Sequence, residues 1–123
     1  MSKLVIASIG PASSVQDGGR PGAQRYGLVP SGAMDRLALA AANTLVGNDA
    51  FAAAVEIGPF GAKFTARGAV RLALAGARRN ADIAGRPMAP DSSATIADGE
   101  TLTLGFARSG SFSYLAVEGG IVG

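Results

Sequence analysis

The sequence predicts a mainly β domain carrying one helix. Short apolar runs rich in β-branched residues recur between glycines from residue 53 onward, and a single stretch at 31–47 has helical character with signals at both ends. The eighteen glycines and six prolines are spread along the chain, so they read as punctuation between short elements. One core, and one domain over residues 1–123, is the expectation.

Lys3 to Ile9 alternates loosely around Leu4, Val5, Ile6 and Ile9 and stops at Gly10-Pro11, which reads as a strand. Residues 11–30 are rich in glycine, proline and polar side chains and read as one long loop, the kind of segment that carries function. The helix is placed over Ser31 to Gly47. Ser31 is its expected N-cap, Asp35 sits in the first turn where the dipole favours negative charge, and Gly47 is the stop. Leu37, Ala41 and Leu45, with Ala38 and Ala42, form the stripe expected to pack on a sheet.

The later runs are Ala53 to Ile57, Ala62 to Ala66, Val70 to Ala75, Asp82 to Ala84, Thr95 to Ala97, Thr101 to Phe106 and Phe112 to Val117. Their spacing suggests a meandering antiparallel sheet or barrel with the helix laid against it. Asp98-Gly99 is a tight hairpin signal. The pattern around Ala66-Arg67-Gly68 is echoed weakly near Ala107-Arg108, as two hairpins filling similar roles would be.

Composition excludes several functions. The net charge is +2 and the arginines form no stripe among stacking aromatics, so nucleic acid is a poor partner. Arg78-Arg79, the nearest thing to a basic cluster, reads as a solvated turn. No apolar run approaches a membrane span and Met1-Ser2-Lys3 leads into a strand without a cleavage pattern, so a cytoplasmic location is expected. Cysteine and histidine are both absent. That removes thiol nucleophiles, thiolate or imidazole metal sites and every histidine-based triad, and no metal is expected. Proton transfer falls to a carboxylate, one of two tyrosines, one of two lysines or the ligand itself.

The densest polar constellation is Gln16-Asp17-Gly18-Gly19-Arg20-Pro21-Gly22, followed by Gln24-Arg25-Tyr26-Gly27. Its glycines let a ligand approach the main chain, and Arg20 and Arg25 offer forked donors to a carboxylate or phosphate. The alternative is a loop in which Asp17 and Arg20 neutralise one another. It ends in no Gly-Lys-Ser/Thr, so it is not a nucleotide phosphate loop. A second cluster, Ser31 to Asp35 with Asn43, Asn48 and Asp49, brackets the helix; its start is either simply capped or holds an anion. Asn43, well inside the helix, is read as a buried bond to the loop. Glu56 stands in an apolar run: it either faces water on alternate positions or, facing inward, is the best general-base candidate.

Together these segments resemble a known family. Val15 to Gly22, Ser31-Gly32-Ala33-Met34-Asp35, Ala42-Asn43, Leu45-Val46-Gly47-Asn48, Glu56, Ala75-Gly76-Ala77, Tyr114-Leu115-Ala116-Val117 and Gly119-Gly120-Ile121 match, in order and spacing, allophanate hydrolase subunit 2 domains. These are biotin-dependent carboxyltransferase-like proteins. The resemblance implies a cyclophilin-like β-barrel of which residues 1–123 are the N-terminal portion, expected to be inert alone. It implies Gln16, Asp17 and Arg20 in the catalytic cleft, with Ser31, Asp35 and Asn48 around it; the reading of the residues themselves adds Arg25 as a substrate contact and Glu56 as a possible base.

Three activities go with the family. One is the C subunit of ATP-dependent 5-oxoprolinase, opening a lactam to glutamate with a sister B-type (subunit-1) partner. Another is half of the carboxyltransferase that uses carboxybiotin in urea carboxylase, and the third is a non-catalytic antagonist of a sporulation-kinase inhibitor. The resemblance thus implies a hetero-oligomer, a small carboxylate or amide substrate, ATP used by the complex, no covalently bound cofactor here, and biotin only for the carboxyltransferase.

Overall fold

The computed structural model describes residues 3–9, 14–16, 27–28 and 35–119. The elements are β1 (Lys3–Ile9), β2 (Ser14–Gln16), β3 (Gly27–Leu28), α1 (Arg36–Leu45), β4 (Ala54–Ile57), β5 (Ala62–Arg67), β6 (Val70–Ile83), β7 (Arg86–Pro87), β8 (Ser92–Ile96) and β9 (Thr101–Val117). The mainly β reading with one helix holds, and β1 has the expected bounds.

All the strands join one curled sheet that forms a half-barrel. Its spine is the antiparallel pair β6 and β9, in register from Leu72 opposite Val117 to Ile83 opposite Leu102. The first half of β9 is flanked by β5 and the second half by β4. β1 lies outside β5, β2 lies outside β4, and β8 covers the other side of β6 from Val70 to Leu74. Only the short β2–β3 pair is parallel among the described ladders.

Two expected pairs of runs fuse into single long strands. Val70 to Ala75 and Asp82 to Ala84 become β6, and Thr101 to Phe106 and Phe112 to Val117 become β9. The polar middles, which look like turns in sequence, are a shared bend. Register shifts fall between Gly76 and Ala81, where bulges let the two strands curve together. The long loop expected at 11–30 also contains β2 and β3, strands too short to carry an alternation signal.

The Asp98-Gly99 turn forms, with the Glu100 N–H donating to Ala97 O at 3.0 Å and Gly99 at φ +82°. It does not close a hairpin: β8 pairs with β6, and the start of β9 pairs with β5 and β6. Glu100 clamps this turn, accepting from the Arg86 guanidinium at 2.7 and 2.9 Å and from the Ala97 N–H at 2.8 Å. The Arg86 bonds, then the Ala97 bond, depress its pKa to about 2. A carboxylate depressed on folding contributes stability above its unfolded value and loses it as pH falls through the folded one. The Glu100→Gln chain is therefore expected to show a flatter acid limb between its reference value of 4.5 and about 2. Melting temperature against pH measures this, and the difference should shrink at high salt because the pair is exposed.

The sheet has a buried layer on each face. Inside the curl, Val55, Ile57, Phe64, Leu72, Leu74, Ile96, Leu102, Leu104 and Leu115 form the larger core. Across the sheet, Ala54, Ala73, Ala75, Tyr114 and Ala116 make a floor under Ala38, Leu39, Ala42 and Val46 of the helix segment. Alanine on both surfaces lets the helix lie close to the strands. β4 is buried throughout, since it faces the barrel core with one set of side chains and the helix with the other.

The helix differs from expectation in two respects. Its N-cap is Asp35, not Ser31: Asp35 is extended at φ −138°, and its carboxylate accepts the Ala38 N–H at 3.0 Å. Ser31 lies outside the described residues. The buried face is Ala38, Leu39, Ala42, Asn43 and Val46, whereas Leu37 is 85% exposed and Ala41 and Leu45 also face outward. The alanine-rich run contains two overlapping apolar stripes about 100° apart, and the one carrying Asn43 wins because that amide ties down the following loop. Gly47 does end the helix. At φ +77° its N–H donates to Thr44 O at 3.0 Å, and the Asn48 N–H donates to Asn43 O at 2.9 Å, the paired bonds of a Schellman stop.

Asn43 is fully buried and makes the expected bond to the loop. Its amide donates to Ala50 O at 3.0 Å and Ala52 O at 2.9 Å, and its oxygen accepts from Asn48 at 3.2 Å. Asn43→Leu keeps the volume and removes every bond. It should cost about 2–3 kcal/mol in a urea titration, because buried carbonyls lose their donors. A loss below about 0.5 kcal/mol would show that the loop holds without this amide.

Candidate functional site

Glu56 and Tyr114 are cross-strand neighbours, one on β4 and one on β9. Both are buried: Glu56 is 4% and Tyr114 0% exposed. The sheet register puts them on the face covered by α1, so a carboxylate that alternation could have sent to water lies instead against the helix layer. The Tyr114 hydroxyl donates to Glu56 Oε2 at 2.5 Å and accepts the Asp35 N–H at 2.9 Å. Asp35 is the residue that caps α1, so the phenol links the carboxylate to the start of the helix.

A carboxylate brought out of water needs donors. Here one donor is a phenol whose ionisation is pushed well above its ordinary value, first by burial and then by the bond to Glu56. The phenol therefore remains a donor through the neutral range. It has one proton to give, and its oxygen already receives the Asp35 N–H, so the direction of the chain is fixed. The arrangement is a positioned carboxylate at a helix N-terminus, the type of group that can accept and return a proton in a site without histidine.

The other sequence-derived candidates fall as follows. Gln16 lies on β2 opposite Ala54, two pairs along from Ser14 opposite Glu56, so its strand borders the Glu56 strand. Asp17, Arg20, Arg25 and Ser31 lie outside the described residues. The Asp35 carboxylate serves as the helix cap. Asn48 is a clip: its amide donates to Asn43 and, at 2.8 Å, to Val117 O, and its oxygen accepts the Gly119 N–H at 2.9 Å. Both donors of that amide are used in joining the helix end to the end of β9. Among the described residues no three or more acidic side chains gather as a metal-binding group.

Two residues matter more than their sequence context suggests. Tyr114 stands out in the sequence only as part of a motif, although a tyrosine in an apolar strand must find a partner for its hydroxyl, and that requirement is a usable signal. Arg79 is the other. It is not in a solvated turn: it is 7% exposed, with Nε donating to Ser113 Oγ at 3.0 Å and its two terminal nitrogens donating to Gly58 O, Phe60 O and Gly105 O at 2.9–3.2 Å. Burial lowers its pKa from the ordinary arginine value. Its neighbour Arg78 does lie at the surface, 3.6 Å from Asp91.

Comparison with known proteins agrees with this architecture. Residues 26–123 match the family model described as carboxyltransferase domain, subdomain A and B. The chain is 41% identical over 120 residues to the C subunit of Escherichia coli 5-oxoprolinase, covering 96% of this chain and 38% of that protein. It is 33% identical over 119 residues to urea amidolyase of Saccharomyces cerevisiae, covering 96% of this chain and 6% of that protein. The crystal structure of Kluyveromyces lactis urea carboxylase superposes with a TM-score of 0.83 at 31% identity, over 96% of this chain and 10% of that one. The chain thus spans well under half the length of the curated relatives it matches.

Proposed function

Because the chain belongs to the carboxyltransferase domain family, subdomain A and B, we propose that it supplies a C-type component of an ATP-dependent 5-oxoprolinase. The observation that carries this reading is the likeness to the C subunit of 5-oxoprolinase, which extends over nearly the whole of this chain. The reaction adds water across the lactam C–N bond of 5-oxoproline, giving glutamate: a hydroxyl ends on the carbonyl carbon and protons end on the nitrogen. ATP supplies the driving force. With no phosphate-loop ending in this sequence, its binding is assigned to a partner protein of the assembly.

In this scheme Glu56 accepts the proton of the attacking water and returns it to the leaving nitrogen, the task a histidine performs elsewhere. Gln16, Asp17 and Arg20 are proposed to line the same cleft. Arg25 and Ser31, with the main chain at the helix start, are proposed to hold the substrate carboxylate. The assembly is completed by a B-type sister protein. Reconstituting the chain with its partners, ATP and 5-oxoproline should release glutamate, and no release with all partners present would remove the reading.

The likeness to urea amidolyase favours a second reading, carboxyl transfer from carboxybiotin. Neither Lys3 nor Lys63 lies between methionines as a biotinylated lysine does, so the biotin would ride on a partner. Urea-dependent ATP consumption in the presence of a biotin-carrier protein, with no glutamate from 5-oxoproline, would favour this second activity.

A further inference from the structure

We propose that Tyr114 is the positioning residue of the Glu56 site, holding one carboxylate oxygen and the first turn of α1 in a single hydrogen-bonded chain so that Glu56 meets its substrate in one orientation. The inference rests on the reading of Glu56 as the acid–base group.

The geometry goes beyond a satisfied buried tyrosine. A phenol needs one acceptor, and a backbone carbonyl of the surrounding sheet would serve. Tyr114 instead points its proton at the buried carboxylate and uses its oxygen for a backbone N–H that belongs to the helix cap. It therefore joins three separate elements: β9, which carries it, β4, which carries Glu56, and α1, which begins at Asp35. The ionisable groups facing the phenol among the described residues are Glu56 from β4 and Asp35 from the start of α1. The small neighbours Ala54, Ala73, Ala75 and Ala116 leave room for the ring and offer it no competing side-chain partner. With Oε2 committed to the phenol, rotation of the carboxylate about its terminal torsion, which is otherwise broad, is restricted.

The test uses the reconstituted complex and Tyr114→Phe, which keeps the ring and removes the hydroxyl. The expected result is a fall in kcat of about ten- to a hundredfold with KM nearly unchanged, since a misaligned group costs rate before binding. Adding Tyr114→Phe to Glu56→Gln should lower the rate no further, because the tyrosine acts through the carboxylate. Should the phenylalanine variant fold poorly, Tyr114→3-fluorotyrosine keeps shape and hydroxyl while making the phenol more acidic. It should move the pH–rate profile, which a purely structural tyrosine would leave in place. No turnover by the unaltered complex would overturn the proposed function and this inference with it. Turnover by the unaltered complex, with Tyr114→Phe at full rate or the fluorotyrosine profile unmoved, would overturn this inference alone.

Discussion

Arg79→Met is expected to destabilise the chain by about 3–4 kcal/mol, the larger of the two strongest stability effects. The methionine fills much of the space left by the arginine stem, so the loss measures hydrogen bonding more than cavity formation. Three carbonyls, from Gly58, Phe60 and Gly105, lose a charged donor together with the Ser113 hydroxyl. These acceptors come from the β4–β5 turn and the bend of β9, so the guanidinium fastens two segments to β6 at the place where the sheet curls. Arg79→Lys should recover only part of the loss, because an ammonium lacks the planar fork that reaches several acceptors at once. Urea titration with a linear extrapolation reads the effect. A loss under about 1 kcal/mol would mean that the bend is held by the strand ladders alone.

Gly76→Ala should cost about 2–4 kcal/mol. Gly76 stands at the same bend with φ +116°, a conformation that an L side chain rarely adopts. A Cβ there would also come within 2.5 Å of Phe112 O and 3.0 Å of Ser113 Cα, and both are backbone atoms of the paired strand that cannot swing aside. Gly85 provides the control: its φ is +84°, but nothing lies within 4 Å of an added Cβ. Gly85→Ala should lose only the conformational part, about 1–2 kcal/mol. Equal losses at the two positions would show that crowding at the bend contributes nothing. The comparison is made on melting temperature and urea midpoint together.

The bend also explains where sequence reading worked and where it stopped. Local sequence placed β1 within its bounds, and β4 and β5 to within a residue, because each is a short apolar run closed by glycine or proline. It broke β6 and β9 into halves because the polar segments Arg78 to Asn80 and Ala107 to Ser111 have the composition of turns. What keeps them in strands is a partner strand bending with them, and no local pattern reports the partner. Arg79 followed the same course: beside Arg78 it reads as surface, and only the meeting of three backbone segments makes a place for it.

For the candidate site, the sequence alone was enough to name the chemistry available. The absence of histidine and cysteine left carboxylates and tyrosines for proton transfer, and the linked motifs pointed to one family. It also located Asn43 as a buried bond and Gly47 as the helix stop, since both follow from backbone donors and acceptors within a few residues. Tertiary structure decided the remainder. Facing water is the usual place for a strand carboxylate such as Glu56, and only the register of β4 between β2 and β9 put it inside, opposite Tyr114. Asp35 became the cap, and Leu37 turned outward, only once the helix settled on its alanine floor. The physical reason is that alternation and capping are properties of neighbouring residues, whereas the union of residues 35, 56 and 114 depends on contacts between segments far apart in the chain, and those are set by which apolar faces can be buried together.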